Sequence, residues 1–273
     1  GVWTASGAIA DVNVLLAGLT FTPAANFNSS FSIDTSVSDG VAPALTGTKV
    51  MTGVAVNDAP VNTVPGPQTV ATGATLVFSV GGGNAISVAD LDAIGNIQVQ
   101  LNATNGTVTV ALFGSATITG GANGSATVTI QGTQGDLNAT LNGLQFTPAA
   151  GYTGVGAALQ VVTNDLGGSG GPAQTDTDTV AITVTGYDIA GRLHHDVNGD
   201  GDVTNDGGAV FAGAGVGLYL DNGNGTIDAG DTLVGTTTTD ASGAYSFTNR
   251  ALGTYYVTVD SRTLAPTGPG AYN

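Results

Sequence analysis

Cysteine and glutamate are both absent from the 273 residues, lysine occurs once as Lys49, and tryptophan once as Trp3. Without thiols there is no disulfide and no thiolate metal site, so stability must come from sheet packing and from any metal held through oxygen. All 20 acidic residues are Asp, a poor helix former suited to turns and short ligand loops, while helices are denied their favoured Glu and Lys. Only Lys49, Arg192, Arg250 and Arg262 oppose these acids, leaving a formal net charge of −16. Four cations cannot build the positive stripe that neutralises a phosphate backbone, and an anionic membrane repels such a surface, which excludes both as partners. No apolar run of about 18 residues is present to span a bilayer, and no signal peptide. The two histidines, His194 and His195, are adjacent, and no base, nucleophile and orienting group form a catalytic constellation. No enzyme activity is expected. Neighbours on a strand face opposite ways, so one histidine is expected to be packed and the other solvated.

What the chain does have is Val and Thr in alternation, broken by Gly and Asn turns. Segments 75–80, 97–101, 107–112 and 126–130 all alternate with period 2. This predicts an all-β protein of tandem antiparallel β-sandwiches in an elongated array. An internal repeat reinforces it. Asp11 to Phe27 returns 125 residues later as Asp136 to Tyr152, with Asp, Gly, Leu, Phe, Thr-Pro-Ala-Ala and a final aromatic at equal spacing. Residues 136–141 are expected to form a short helical turn, with Leu137, Leu141 and Leu144 plugging one end of the core.

The segment from Asp196 to Asp206 carries oxygen-bearing side chains at alternating positions around glycine. Calcium takes about 6–8 oxygen ligands, and a helix-flanked calcium loop uses positions 1, 3, 5, 7, 9 and 12 with Gly at 6. Asp196, Asn198 and Asp200 fill positions 1, 3 and 5 and Gly201 fills 6, with Asp202 a further candidate ligand. Position 12 is Gly207 instead of Glu, with Asp206 one residue short, and no amphipathic helix flanks the loop. Two readings stand: a calcium loop between strands, or an Asp/Asn/Gly turn that binds nothing. A second acidic loop follows, with Asp221, Asn224, Asp228 and Asp231.

Asn57-Asp58-Ala59-Pro60-Val61, Ile86 to Ala93, Leu144 to Pro148 and Thr163-Asn164-Asp165 resemble the tandem cadherin-like repeats of very large bacterial surface proteins. The resemblance implies calcium between consecutive domains, with Asp58 in the linker, Asp90 and Asp92 as a pair, and Asp165 from a later loop. The pair also reads as an Asx turn. One departure is the stretch from Val70 to Thr75, where such repeats often carry an acid and this chain has none. From Tyr187 onward, the two acidic loops with Thr239-Asp240-Ala241-Ser242-Gly243-Ala244-Tyr245-Ser246-Phe247 and Gly253-Thr254-Tyr255-Tyr256-Val257 resemble the B-type domains of serine-aspartate repeat adhesins. That resemblance implies a calcium-binding, collagen-adhesin B-like stalk domain. Some relatives of this sandwich class are locked by a Lys amide bond, which is excluded here because Lys49 lies elsewhere and Glu is absent.

The expected organisation is the C-terminal half of a cadherin-like sandwich over 1–58, a complete one over 59–186, a B-type domain over 187–262 and a Pro/Gly-rich linker or tail over 263–273. The expected function is a structural or adhesive segment of a secreted or cell-surface bacterial repeat protein or extracellular filament, stiffened by calcium. The expected partners are neighbouring domains or copies of the same protein. A host- or carbohydrate-binding module on the sandwich loops is the alternative, although no aromatic cluster offers a sugar platform. The ends carry no terminus-like signal, so the chain reads as an excerpt of a longer polypeptide. Residues 1–58 are completed either by a neighbouring subunit that donates strands or by a part of that longer chain.

Overall fold

A computed structural model describes residues 1–168 and 170–264. Helix α1 (Ile9–Ala17) is followed by strands β1 (Phe31–Val37) and β2 (Leu45–Met51), which pair as an antiparallel hairpin. Neither the helix nor the hairpin contributes a buried residue.

The chain then runs β3 (Val61–Thr63), β4 (Gln68–Ala71), β5 (Leu76–Phe78), β6 (Ser87–Ala89), β7 (Asn96–Thr104), β8 (Gly106–Thr109), β9 (Thr117–Gly121) and β10 (Thr127–Thr133). After these come α2 (Gln134–Leu141), β11 (Leu144–Pro148), β12 (Gly154–Asn164) and β13 (Thr175–Thr185). The strands form a six-stranded sheet, β4-β13-β12-β7-β10-β9, a three-stranded sheet, β5-β11-β8, and the pair β3-β6. Alternation sends one face of each sheet inward, and Val99, Leu101, Val128, Ile130, Leu159 and Val161 from one meet Phe78, Val108, Leu144 and Phe146 from the other in a single core. The all-β sandwich read from the period-2 segments is therefore present. Helix α2 is the expected helical turn: Thr133 caps it by accepting from Asp136 N, and Leu137 and Leu141 enter the core.

The internal repeat sets one sequence pattern in two environments. Leu144–Pro148 is a strand because β5 and β8 flank it on both sides. The matching residues 19–23 have neither neighbour and form no strand. A strand needs partners for its backbone amides and carbonyls, and local sequence alone does not supply them.

The C-terminal part contains β14 (Tyr187–Arg192), β15 (Gly215–Leu220), β16 (Thr232–Thr238), β17 (Ala244–Arg250) and β18 (Tyr255–Asp260). They form the pair β14-β17 and the sheet β16-β15-β18. Their apolar cluster is small: among the described residues its buried members are Val216, Leu218 and Phe247, packed by partly buried Ile189, Leu193, Val234, Tyr245 and Tyr255. Asp240 makes the expected hairpin turn, its Oδ1 accepting from Ser242 N and Ala244 N while Gly243 N donates to Asp240 O. Of the tail expected over 263–273, residues 265–273 lie outside the described residues.

A single residue, Gly186, joins β13 to β14. A Cβ there would sit 2.5 Å from Asn249 C, so only glycine fits. Asn249 adopts φ 56°, its Oδ1 accepts from Gly186 N at 2.7 Å, and its carbonyl accepts from Thr153 Oγ1 at 3.2 Å. The joint is thus hydrogen-bonded from both sides.

Candidate metal-binding loops

Three groups of acidic and amide side chains stand at loop positions set by strand ends. The first lies where β3 begins, β6 ends and β12 ends. Pairing of β3 with β6 (Val61 opposite Ala89) brings Asn57 and Asp58 beside Asp90 and Asp92, and Asp165 follows directly on β12. Asp58 N donates to Asp92 Oδ2 at 3.1 Å, and Asp92 N donates to Asp90 Oδ1 at 3.2 Å. Asn57 Nδ2 donates to Asp165 Oδ2 at 2.5 Å, and Gln174 N and Gly167 N donate to Asp165 Oδ1. Asp58, Asp90, Asp92 and Asp165 are therefore brought to one place.

Asn57 was not singled out in the sequence, where it reads as a linker residue, yet it is 6% exposed and ties the linker to Asp165. Its Oδ1 is buried without a hydrogen-bond partner among the described residues, as is Asp90 Oδ2. Buried polar oxygens are rarely left in this state. Burial pushes the Asp90 carboxyl up from its ordinary range; the hydrogen bond from Asp92 N opposes this, and the charges of Asp92 and Asp165 add to the rise. Burial also acts to raise Asp165, but the hydrogen bonds from Gln174 N, Asn57 Nδ2 and Gly167 N outweigh it and hold that carboxyl below the ordinary range. The glycine-rich loop after Asp165 closes over the linker, and a Cβ on Gly171 would stand 2.7 Å from Asn57 Cβ.

The second group is the loop from Asp196 to Asp206. Asp196 Oδ1 accepts from Gly199 N at 2.7 Å and its Oδ2 from Gly201 N at 2.8 Å, so the chain wraps around this carboxylate. Gly199 and Gly201 take φ of 77° and 80°, the left-handed region that glycine enters without strain. Asp206 Oδ1 closes the loop on Val197 N at 3.0 Å, leaving its Oδ2 buried and unpartnered among the described residues. Asn205 is a further member, donating from Nδ2 to Asp200 Oδ2 at 2.8 Å. This bond, followed by the one from Asp202 N, holds the Asp200 carboxyl below its ordinary range, and Thr204 does the same for Asp202. Asn198 Nδ2 donates to Asp200 Oδ2, and Asn198 Oδ1 accepts from Asp200 N. His195 packs against Phe211 with ring centroids 4.9 Å apart and planes tilted by 45°, while His194 is exposed.

The third group repeats the plan of the second. Asp221 accepts from Gly225 N, and Asp231 Oδ1 accepts from Asn222 N at 3.0 Å across the same nine-residue span that separates Val197 from Asp206. Asn224 Nδ2 donates to Asp228 Oδ2 at 2.7 Å, and Asp228 N donates to Asp231 Oδ2 at 3.0 Å. Asn222 is the member that sequence reasoning passed over. No hydrogen bond joins the two C-terminal loops among the described residues. Nor do three or more His, Cys, Asp or Glu side chains form a ready-made metal group among the described residues. Each loop is pre-shaped by backbone amides instead, and the side-chain oxygens it gathers belong to carboxylates and amides, the donor types that suit hard cations.

The strand order of the C-terminal part, with both acidic loops set between its strands, can be compared with known families. Residues 187–270 match the SdrD B-like domain. This B-like match covers both acidic loops and all five strands from β14 to β18. Among solved structures, the chain is similar to the major pilin subunit BcpA of Bacillus cereus, in native form and in a variant. Identities are 14% and 15%, TM-scores 0.36 and 0.39, with 84% of this chain and 66% of each pilin covered. A backbone pilin of Streptococcus pyogenes is similar at 14% identity and a TM-score of 0.28, over 83% of this chain and 50% of the pilin. The chain thus spans about two thirds of the first two pilins and half of the third. No curated protein matches the chain.

Proposed function

We propose that this chain is a structural, non-enzymatic segment of a bacterial surface or extracellular assembly, a rod of β-sandwiches stiffened by calcium at the junction before β3 and in the two C-terminal loops. The observation that carries the reading is the set of buried oxygens without hydrogen-bond partners, Asn57 Oδ1 and Asp90 Oδ2 at the junction and Asp206 Oδ2 in the first C-terminal loop. An acidic site of oxygen donors fits a hard cation better than it fits itself. The match of residues 187–270 to the SdrD B-like domain supports a place on the bacterial surface.

Calcium, when bound, neutralises the clustered carboxylates. At the junction Asn57, Asp58, Asp90, Asp92 and Asp165 hold the linker against the sandwich. In the C-terminal part, Asp196, Asn198, Asp200, Asp202 and Asp206 form one loop and Asp221, Asn224, Asp228 and Asp231 the other. With the smaller apolar cluster of the two, this part gains most from such a lock. A ligand that binds the folded loops and not the unfolded chain stabilises the fold by mass action, about 2.7 kcal/mol per site at 100-fold excess over Kd.

The test is limited proteolysis with and without a calcium chelator. Cleavage over 196–231 is expected to accelerate on chelation and to slow when calcium is restored. Equal cleavage in both conditions contradicts the reading.

A further inference from the structure

We propose that Asn222 and Gly223 form a self-modifying site, at which the asparagine deamidates through a cyclic imide in preference to every other Asn-Gly pair of the chain. This goes beyond the reading of the loops as cation sites and does not depend on it.

Six Asn-Gly pairs are present, beginning at Asn105, Asn123, Asn142, Asn198, Asn222 and Asn224. A following glycine favours the reaction because no Cβ hinders the approach of its nitrogen to the asparagine side chain. That nitrogen loses its proton and attacks Cγ of the asparagine. A C–N bond forms, the bond from Cγ to Nδ2 breaks, and Nδ2 leaves as ammonia carrying the proton. Water then opens the five-membered ring at either of its two carbonyls, giving aspartate from one and isoaspartate from the other.

All six asparagines are exposed, so contact with water does not separate them. What separates them is whether the attacking nitrogen and the side chain are already engaged. Gly124 N donates to Val108 O, while the amide of Asn123 is held at both ends by Val110. Gly143 N donates to Phe78 O, and Asn142 Oδ1 accepts from Val80 N. Gly199 N is held by Asp196 Oδ1 at 2.7 Å, and Gly225 N by both carboxylate oxygens of Asp221. Gly106 is the first residue of β8 and lies against the Phe146 ring, and Asn105 Nδ2 donates to Gly156 O.

Gly223 differs from all of these. Among the described residues its N–H has no hydrogen-bond partner, and the space where a Cβ would stand is open. The Asn222 side chain is loosely held as well. Its Nδ2 lies 3.5 Å from Asp228 Oδ1, against 2.7 Å for the bond from Asn224 Nδ2 to the other oxygen of the same carboxylate. Its Oδ1 accepts from Asn224 N at 3.1 Å, and a donor on that oxygen favours the charge that develops there during attack. An intramolecular attack is governed by how readily the two atoms meet, and here no bond to the nitrogen must break first. The product alters the third loop. Either opening adds a negative charge beside Asp221, Asp228 and Asp231. The isoaspartate route also inserts a methylene into the backbone between Gly223 and Asn222 N, the group that donates to Asp231 Oδ1.

The full chain is aged in heavy-oxygen water at mildly alkaline pH, in calcium and in chelator, then digested and mapped by mass spectrometry. The oxygen label marks conversion during ageing, and chromatography separates aspartate from isoaspartate. The expected result, in either condition, is conversion at Asn222 at least about tenfold faster than at any of the other five, the factor made by about 1.4 kcal/mol of barrier, with isoaspartate among the products. In denaturant the six rates are expected to converge, because the selection lies in the fold. Gly223→Ala is expected to slow conversion at position 222 in the folded chain. A comparable rate at another pair in both conditions overturns the proposal. So does conversion of Asn222 without isoaspartate, or an undiminished preference for Asn222 in denaturant.

Discussion

Asp90 is held at a disadvantage. Its carboxyl is raised by burial and by the charges of Asp92 and Asp165, so the folded state binds that proton more tightly than the unfolded chain does. A raised carboxyl contributes stability below the ordinary carboxylate range and loses it as pH rises through the folded value, so at neutral pH the charge opposes the metal-free fold. Asp90→Asn is accordingly expected to raise the melting temperature in chelator by roughly 2–4 °C, the equivalent of about 1 kcal/mol, and to reduce the gain on adding calcium. Scanning calorimetry of both proteins in both conditions checks it. Asp165 has the opposite sign. Its lowered carboxyl contributes stability above the ordinary range that is lost as pH falls through the folded value. At Gly171 a methyl group meets Asn57 Cβ at 2.7 Å. Gly171→Ala is expected to cost about 1–3 kcal/mol, measured by denaturant unfolding of the central sandwich.

At the scale of elements, the repeat makes an internal control. Phe146 is fully buried between β5 and β8, while Phe21 is half exposed in a segment that forms no strand. Phe146→Ala is expected to destabilise the central unit by about 3–5 kcal/mol, and Phe21→Ala by no more than about 0.5 kcal/mol, when each is unfolded in denaturant. Similar losses would contradict the exposure of residues 1–58. The period-2 segments made the central sheets legible in the sequence, because a half-buried strand prints its two faces directly into alternation. Segment 75–80 alternates throughout, yet only Leu76–Phe78 pairs, since strand length is set by the partner β11 and not by the segment itself. The carboxylates of the candidate loops were legible too, as Asp at short spacings. Asn57, Asn205 and Asn222 were not, because an Asn in a loop reads as a turn residue until its side-chain partners, tens of residues away or just across the loop, are in place.

Among the described residues, the apolar cluster of the central sandwich has 22 buried members and that of the C-terminal part has three, and the two parts are joined through Gly186 and Asn249. Asn249→Ala removes the bond to Gly186 N and is expected to cost about 1 kcal/mol and to broaden the distribution of distances between spin labels placed on β7 and β18. An unchanged distribution would show that the joint is stiff without it. The central claim is that calcium locks this rod, and thermal unfolding of the whole chain in excess calcium against excess chelator tests it most directly. The account predicts a melting temperature higher by at least about 5 °C in calcium, from two or more sites each contributing a few kcal/mol, with the C-terminal transition moving furthest. Superimposable unfolding curves would contradict it.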